Sequence, residues 1–353
     1  MYQNEEELNP EAVSDYYGKV LQHSDDLQTD ACCCDSDEIS AEVKAALAQV
    51  NDEVMSRFYG CGSPLPLELA GCRVLDLGCG TGRDCYVASQ LVGETGFVTG
   101  VDMTGEQLEV AQRNVSSQMK RFGYEKPNVE FLSGKIEELE ALGIEDASVD
   151  VVISNCVINL SSDKAKVFAE IFRVLKPGGE LYFSDVFASR RVPAALKTDP
   201  VLHGECLSGA MYEEDFRRVM TSVGCPDIRV MSRRRLSIDS PEVENKVGMI
   251  GFDSVTVRAF KLEDLEDRFE DYGQIAIYQG SLEGYPHEFP LDPDHVFERN
   301  RPVLVSGNTA AMLSQSRFAK HFKVLGNREQ HFGLFYADPD YAASSGHDCG
   351  CCE

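Results

Sequence analysis

The chain contains no tryptophan, and its 33 basic residues are far outnumbered by 59 acidic ones, giving a formal net charge of −26. A field of that sign repels phosphate backbones and anionic lipid surfaces, so neither nucleic acid nor a membrane is an expected partner. No apolar run approaches the length of a membrane span. The amino terminus, Met-Tyr-Gln-Asn-Glu-Glu-Glu, also lacks the basic start and apolar stretch of a secretory signal, so a cytoplasmic location is expected. There is no internal repeat at a fixed period and no heptad seam, so a monomer is expected. A Ser-His-Asp arrangement is also missing.

Cysteine, by contrast, is plentiful. Its 13 copies are unevenly clustered and odd in number, which without a secretory signal favours reduced, ligating or redox-active thiols over a disulfide scaffold. Three of them, Cys61 in Tyr-Gly-Cys-Gly, Cys156 in Ser-Asn-Cys-Val and Cys206 in Gly-Glu-Cys-Leu, flank a glycine loop of nucleotide-binding type. Thiolates are soft ligands, so three converging on one centre would select a soft acceptor such as trivalent arsenic over a hard cation. Cys72, Cys79, Cys85 and Cys225 occupy positions where small apolar packing is sufficient.

A length of 353 residues suits more than one core, on the usual scale of roughly 150 residues per domain. Residues 1–50 read as an acidic arm carrying Cys32, Cys33 and Cys34, with Ser40 capping a short helix to Val50. From 51 to 235 the pattern alternates. Strands are expected at 73–77, 97–101, 129–132, 149–154 and 181–186. Between them lie helices through Tyr86 to Leu91, over Glu106 to Lys120, and after Asp163, the last with Ala165, Phe168, Ile171, Phe172 and Leu175 on one face and Lys176 in its final turn. Such alternation predicts an α/β fold with a doubly wound sheet, whose ligand crevice lies at the carboxyl ends of the strands. A helix near 212–223 and a strand ending at Arg233-Arg-Arg235 follow, the arginines reading as a solvated edge. Residues 236–340 are expected to form a smaller α+β domain, with β-like stretches at 254–262 and 274–279 and a helix over 309–322. Residues 341–353 form a Cys-rich tail with Cys349, Cys351 and Cys352.

The loop Gly78-Cys-Gly80-Thr-Gly82 is preceded by Asp76, and glycines at this spacing let backbone approach a nucleotide closely. Asp102, at the end of the next strand, is placed to accept hydrogen bonds from a ribose diol. The string Asp-Leu-Gly-Cys-Gly-Thr-Gly and the Leu175-Lys-Pro-Gly-Gly-Glu-Leu181 segment resemble motifs of class I S-adenosylmethionine methyltransferases.

Five longer stretches sharpen the resemblance. Tyr59-Gly-Cys-Gly62, Asp76 to Tyr86, Gly100-Val-Asp-Met-Thr104, Ile153-Ser-Asn-Cys-Val-Ile-Asn-Leu160 and Gly204-Glu-Cys-Leu-Ser-Gly209 are similar to arsenite methyltransferases. The resemblance covers most of residues 20–235 and is looser beyond 240. It implies a Rossmann-like sheet and a cofactor pocket made by Tyr59, Gly60, Asp76, Gly78, Gly80, Gly82, Arg83, Asp102, Met103, Gln107, Ile136, Glu137, Asn155 and Val157. It further implies that Cys61, Cys156 and Cys206 hold As(III), and that Cys32 is a fourth functional cysteine and redox partner of Cys61, with Cys33 and Cys34 as alternatives.

The chemistry agrees with that assignment. Arsenous acid exchanges hydroxyls for thiols with loss of water, and the arsenic lone pair can then attack a sulfonium methyl without any general base. Methyl transfer raises arsenic to the pentavalent state, and two electrons from a thiol pair return it. Glutathione or thioredoxin would serve as the thiol reductant. Two other readings stay open on the residues alone. A methyltransferase acting on a carbon or oxygen nucleophile would leave the thiols incidental; a thiol-rich metalloid-sequestering protein would bind arsenite but not S-adenosylmethionine.

Overall fold

Five parallel strands carry the architecture, and their carboxyl ends define where a ligand can sit. The computed structural model describes residues 40–335 apart from Tyr59, Thr198 and Asp239. Residues 1–39 of the expected arm, with Cys32, Cys33 and Cys34, the cofactor residue Tyr59 and the tail cysteines therefore lie outside the described residues. Strands β1 (Arg73–Leu77), β2 (Phe97–Asp102), β3 (Val129–Ser133), β4 (Val149–Asn155) and β5 (Leu175–Ala188) pair in parallel in the order β3-β2-β1-β4-β5. The order reverses between β1 and β4, which opens a crevice beyond their ends. Both faces of the sheet are covered, as a parallel sheet requires. Val74, Val151 and Ile153 pack on one side with Cys85 and Val87 of the helix Arg83–Val92, while Leu75, Leu77 and Val152 pack on the other with Phe168 and Ile171 of the helix Lys164–Val174.

Local signals explain where these elements begin and end. Ser40 caps the helix Ala41–Leu47, its hydroxyl accepting from Val43 N at 3.3 Å. Asp163 does the same for Lys164–Val174, accepting from Lys166 N at 2.9 Å. That helix ends at Val174, and Leu175 and Lys176 belong to β5, because a residue before proline is pushed into extended backbone. Its buried face is Val167, Phe168, Ile171, Phe172 and Val174; Ala165, expected there, is exposed.

Beyond β5 come β6 (Met211–Tyr212), β7 (Arg229–Arg235) and β8 (Phe252–Phe260). The strand expected to open a separate α+β unit is thus β8, and it belongs to the main sheet. It runs antiparallel to β5 over nine residue pairs, from Glu180↔Phe260 to Ala188↔Phe252, with β7 on its outer edge. On that edge Arg233 pairs with Glu213 and Asp253, and Arg235 with Asp253. The remaining strands are β9 (Gln274–Tyr278), β10 (Glu288–Asp292), β11 (His295–Glu298), β12 (Pro302–Val305) and β13 (Phe322–Leu325). They form a β10-β11 hairpin and a β12-β9-β13 sheet. The helix expected over 309–322 is Gly307–Gln315 followed by a 3-10 turn, Arg317–His321. Ser316 breaks it with extended backbone, ψ −176°, and its hydroxyl caps the turn by accepting from Phe318 N at 3.3 Å.

The C-terminal part is tied to the main sheet by a buried ion group. Glu180 of β5 accepts from Arg258 Nε of β8 at 2.5 Å and also pairs with Arg317; Arg258 and Glu180 are 1% and 0% exposed. Breaking a buried pair leaves a charge without compensation. Arg258→Ala is therefore expected to lower stability by about 3 kcal/mol, the lower end of the range for such losses because Arg317 remains. A shifted denaturant midpoint would measure it; no shift would mean the group is already solvated.

Candidate active site

The glycine loop follows β1 directly. Gly78 N and Cys79 N donate to Val101 O at 2.7 and 3.1 Å, which draws the loop against the end of β2. Gly78 has φ +71°, and a Cβ there would lie 2.2 Å from the Val157 side chain. Only glycine fits. Asp102 closes the loop from the neighbouring strand, its two oxygens accepting from Gly80 N and Thr104 N, each at 2.8 Å. A cleft of about 300 Å3 opens beside it, within the range of roughly 300–1,000 Å3 usual for small-molecule sites.

Of the residues expected to form the cofactor pocket, Gly60, Asp76, Gly78, Gly80, Arg83, Asp102, Met103, Gln107, Ile136, Glu137, Asn155 and Val157 line this cleft. Gly82 stands behind it with φ +85°, where a Cβ would meet the Phe131 ring at 2.7 Å. Arg83 is turned to Asp84, 2.7 Å away, and stacks over Phe58. Glu137 accepts from the Ser161 hydroxyl. The donor set suits S-adenosylmethionine: a carboxylate at the end of β2 for a ribose diol, and glycines that keep side chains out of the loop.

Of the three expected arsenic-binding cysteines, Cys156 is among the residues that line this cleft, and Cys61 and Cys206 are not. Cys156 directly follows β4, lines the cleft, and has φ +56°; Cys206 has φ +59°. Left-handed backbone in a non-glycine residue costs on the order of 1–3 kcal/mol, and such outliers gather at functional sites. The Cys156 N–H donates to Ser184 O at 2.8 Å and the Cys206 thiol donates to Cys156 O at 3.3 Å. Cys61 and Cys156 are joined in a disulfide with Cα atoms 5.8 Å apart, while Cys206 is a buried thiol outside that disulfide. Three separate thiols were expected. In the state described, two of the three sulfurs are bonded to each other, because the Gly60–Gly62 loop lays Cys61 directly on the β4 terminus.

Asn155 sets that placement. Its Oδ1 accepts from Cys61 N at 2.9 Å and Gly62 N at 3.2 Å, and its Nδ2 donates to Gly62 O and to Asp84 Oδ2, both at 2.9 Å. Ser254 of β8 holds the other side, its hydroxyl donating to Cys61 O at 2.9 Å. Val186, Leu202, Leu207 and Phe252 wall the three cysteines with apolar surface.

Two residues of this region were assigned no role from the sequence, Asp84 inside the Asp76 to Tyr86 stretch and Asp185. Asp84 joins Arg83 to Asn155. Asp185, inside the apolar run of β5, is buried; its carboxylate accepts from Asn159 N, Asn159 Nδ2 and Val186 N at 3.1, 2.7 and 2.8 Å. An acid in the middle of a buried strand, one position beyond the register partner of Asn155, was the available clue.

Family-model matches place a methyltransferase domain at residues 68–224 and an arsenite methyltransferase C-terminal domain at 272–334. An arsenite methyltransferase of Aquipseudomonas alcaligenes is 51% identical over 92% of this chain and 93% of its own. The chain belongs to the arsenite methyltransferase family. A human arsenite methyltransferase is 43% identical over 88% of this chain and 82% of its own. Among solved structures, an arsenic(III) S-adenosylmethionine methyltransferase from Chlamydomonas reinhardtii superposes with a TM-score of 0.81 at 50% identity, covering 84% of this chain and 99% of that one. The Rossmann-like sheet is therefore the family's fold, and the glycine loop, Asp102, Cys156 and Cys206 lie within residues 68–224 of the matched methyltransferase domain.

The buried acids give this family member a definite pH response. Burial pushes Asp185 up to about 7 and raises Asp76 and Asp102. Each is more protonated folded than unfolded, so the stability it contributes is present at low pH and is lost as pH rises through the folded value. Burial opposes ionisation of Asp292 as well, but His295 and Arg229 hold it down at about 2, so its contribution changes only in stronger acid. The melting temperature is expected to fall from about pH 5 to about pH 8; a flat or rising profile would mean these carboxyls are not desolvated.

Proposed function

We propose that this chain methylates thiol-bound trivalent arsenic with S-adenosylmethionine, producing mono- and dimethylated arsenicals for arsenic detoxification. The observation that carries the reading is the position of Cys156, which lines the cofactor cleft and at the same time touches Cys61 and Cys206. When bound, S-adenosylmethionine supplies an electrophilic sulfonium methyl. Gly78 and Gly80 would let it approach the loop backbone, Asp102 would hold its ribose hydroxyls, and Met103, Ile136 and Glu137 would contact its adenine. Cys156 and Cys206, with Cys61 as third ligand when reduced, hold the arsenic substrate. Its lone pair carries no proton, so the protein needs no base and contributes orientation and exclusion of water.

The Cys61–Cys156 bond supports a route for the reduction that must follow methyl transfer. Where Cys61 ligates arsenic, glutathione first takes its place on arsenic and returns Cys61 as a thiol, which then attacks the Cys156 sulfur bound to pentavalent arsenic. The disulfide forms, the Cys61 proton leaves to solvent, and the electron pair of the As–S bond stays on arsenic, now trivalent. Cys61 was expected to pair with Cys32; the geometry favours Cys156 as the first partner. Cys32 is then the thiol that attacks Cys61 by exchange and passes the oxidation on to glutathione or thioredoxin.

The test is incubation of the reduced full chain with arsenite, labelled S-adenosylmethionine and glutathione, with arsenic species separated by chromatography and elemental detection. Labelled methylarsenicals are expected, with turnover stopping near one product per chain when the reductant is withheld. Inorganic arsenic alone, with both ligands demonstrably bound, would overturn the proposed reaction.

A further inference from the structure

Trivalent arsenic needs three ligands and keeps a lone pair, which leaves the Asp185 carboxylate beside the thiols without a part in the reaction above. Its oxygen and the sulfurs of Cys156 and Cys206 all lie within 4.8 Å of one another, and all three residues are buried. We propose that Cys156, Cys206 and Asp185, completed by Cys61, form a site for a thiophilic divalent cation of the zinc and cadmium type, open only when the Cys61–Cys156 disulfide is reduced.

The geometry and the chemistry of the donors both point this way. Tetrahedral zinc with bonds of about 2.3 Å to sulfur and about 2.1 Å to oxygen sets neighbouring ligand atoms roughly 3.6–3.8 Å apart. The observed cluster needs to contract by only about 1 Å, within reach of side-chain rotation. Metal-binding carboxylates are themselves held by hydrogen bonds. Asp185 has three, Oδ1 accepting from Asn159 Nδ2 and Val186 N and Oδ2 from Asn159 N, so Oδ2 retains a lone pair. Cys206 is directed at Cys156 by its bond to the Cys156 carbonyl. Two thiolates satisfy the softness of the ion, and the carboxylate supplies the further donor that a four-coordinate cation takes and three-coordinate arsenic does not.

Opening the site takes two electrons and two protons, supplied by a dithiol, or by a phosphine with water as it becomes the phosphine oxide, which convert the disulfide to two thiols. Each thiol that ligates the ion then releases its proton to solvent. Zinc or cadmium bound there excludes arsenite, so these ions are expected to inhibit methylation competitively with arsenite.

The test reads metal binding with neither arsenic nor S-adenosylmethionine present, so its failure is separable from failure of the proposed reaction. The full chain is reduced with a phosphine, freed of it, and titrated with Cd2+ against a chromophoric chelator. One tight equivalent is expected, displaced by stoichiometric arsenite, absent from the disulfide form and from Cys206→Ser. In Asp185→Asn it should be weakened about ten- to a hundredfold. Wild-type affinity in either variant, or in the oxidised chain, would overturn the proposal. Because Asp185 is buried and its replacement could unfold the chain, X-ray absorption of the wild type with one Cd2+ per chain provides a second reading. Mixed sulfur and oxygen neighbours are expected, and a sulfur-only shell would overturn the site.

Discussion

Cys156→Ser and Cys206→Ser are each expected to reduce arsenite methylation at least about a hundredfold, the scale of loss when a reacting atom is displaced from its partner. Serine is close to cysteine in size and, at position 206, keeps the ability to donate to Cys156 O, so the fold should survive. What it removes is the soft donor. A hydroxyl competes poorly with the thiols of glutathione for trivalent arsenic, and the substrate would leave with the small thiol. Chromatographic separation of arsenic species at saturating S-adenosylmethionine measures the effect, and full activity in both variants would sink the assignment.

Cys61→Ser should separate the two methylations. Arsenite offers three valences to thiols, whereas a monomethylated arsenical has already used one and needs only two. In a single turnover, before the reductive step that Cys61 also serves, loss of Cys61 is therefore expected to suppress methylation of arsenite more than that of the monomethylated substrate. Equal losses on both substrates would count against a third sulfur ligand.

The residues that line the cleft were readable because they obey local rules. A glycine at positive φ leaves a signature in the sequence, as does an acid closing the next strand, and the alternation of apolar runs with amphipathic stretches carries the order of the parallel strands. What could not be read depends on contacts between distant segments. Cys61 and Cys156 are separated by 95 positions, and nothing near either one states that the Gly60–Gly62 loop is pinned to the end of β4. The placement of β8 in the main sheet was hidden for a similar reason. An apolar strand reads the same whether its partner is β5 or β9, and the choice rests on nine pairings with β5 and on the Arg258–Glu180 contact. Asp185 was passed over because a single acid in an apolar run has no period of its own.

Asn155 is the residue on which both halves of the site depend, and its removal should be costly in a way that reports this. All four of its hydrogen bonds are used, three of them on the Cys61 loop and one on Asp84. Asn155→Ala would strand the Cys61 and Gly62 N–H groups and the Gly62 carbonyl, at about 1–3 kcal/mol for each that water cannot reach. The loop would release most of that strain by moving, and Cys61 would move with it. Methylation is expected to fall on the order of a hundredfold, while the purified variant remains folded. Asn155→Asp should be at least as harmful, since a carboxylate donates to neither Gly62 O nor Asp84 and places two acids together. A second reading distinguishes displaced loop from lost cofactor contact. In the reduced Asn155→Ala chain, alkylation at Cys61 should quicken and oxidative closure of Cys61–Cys156 should slow, both without S-adenosylmethionine present. If those two rates stayed at their wild-type values while activity fell, Asn155 would act on the cofactor alone, and the positioning of Cys61 would have to come from Ser254 and the apolar wall.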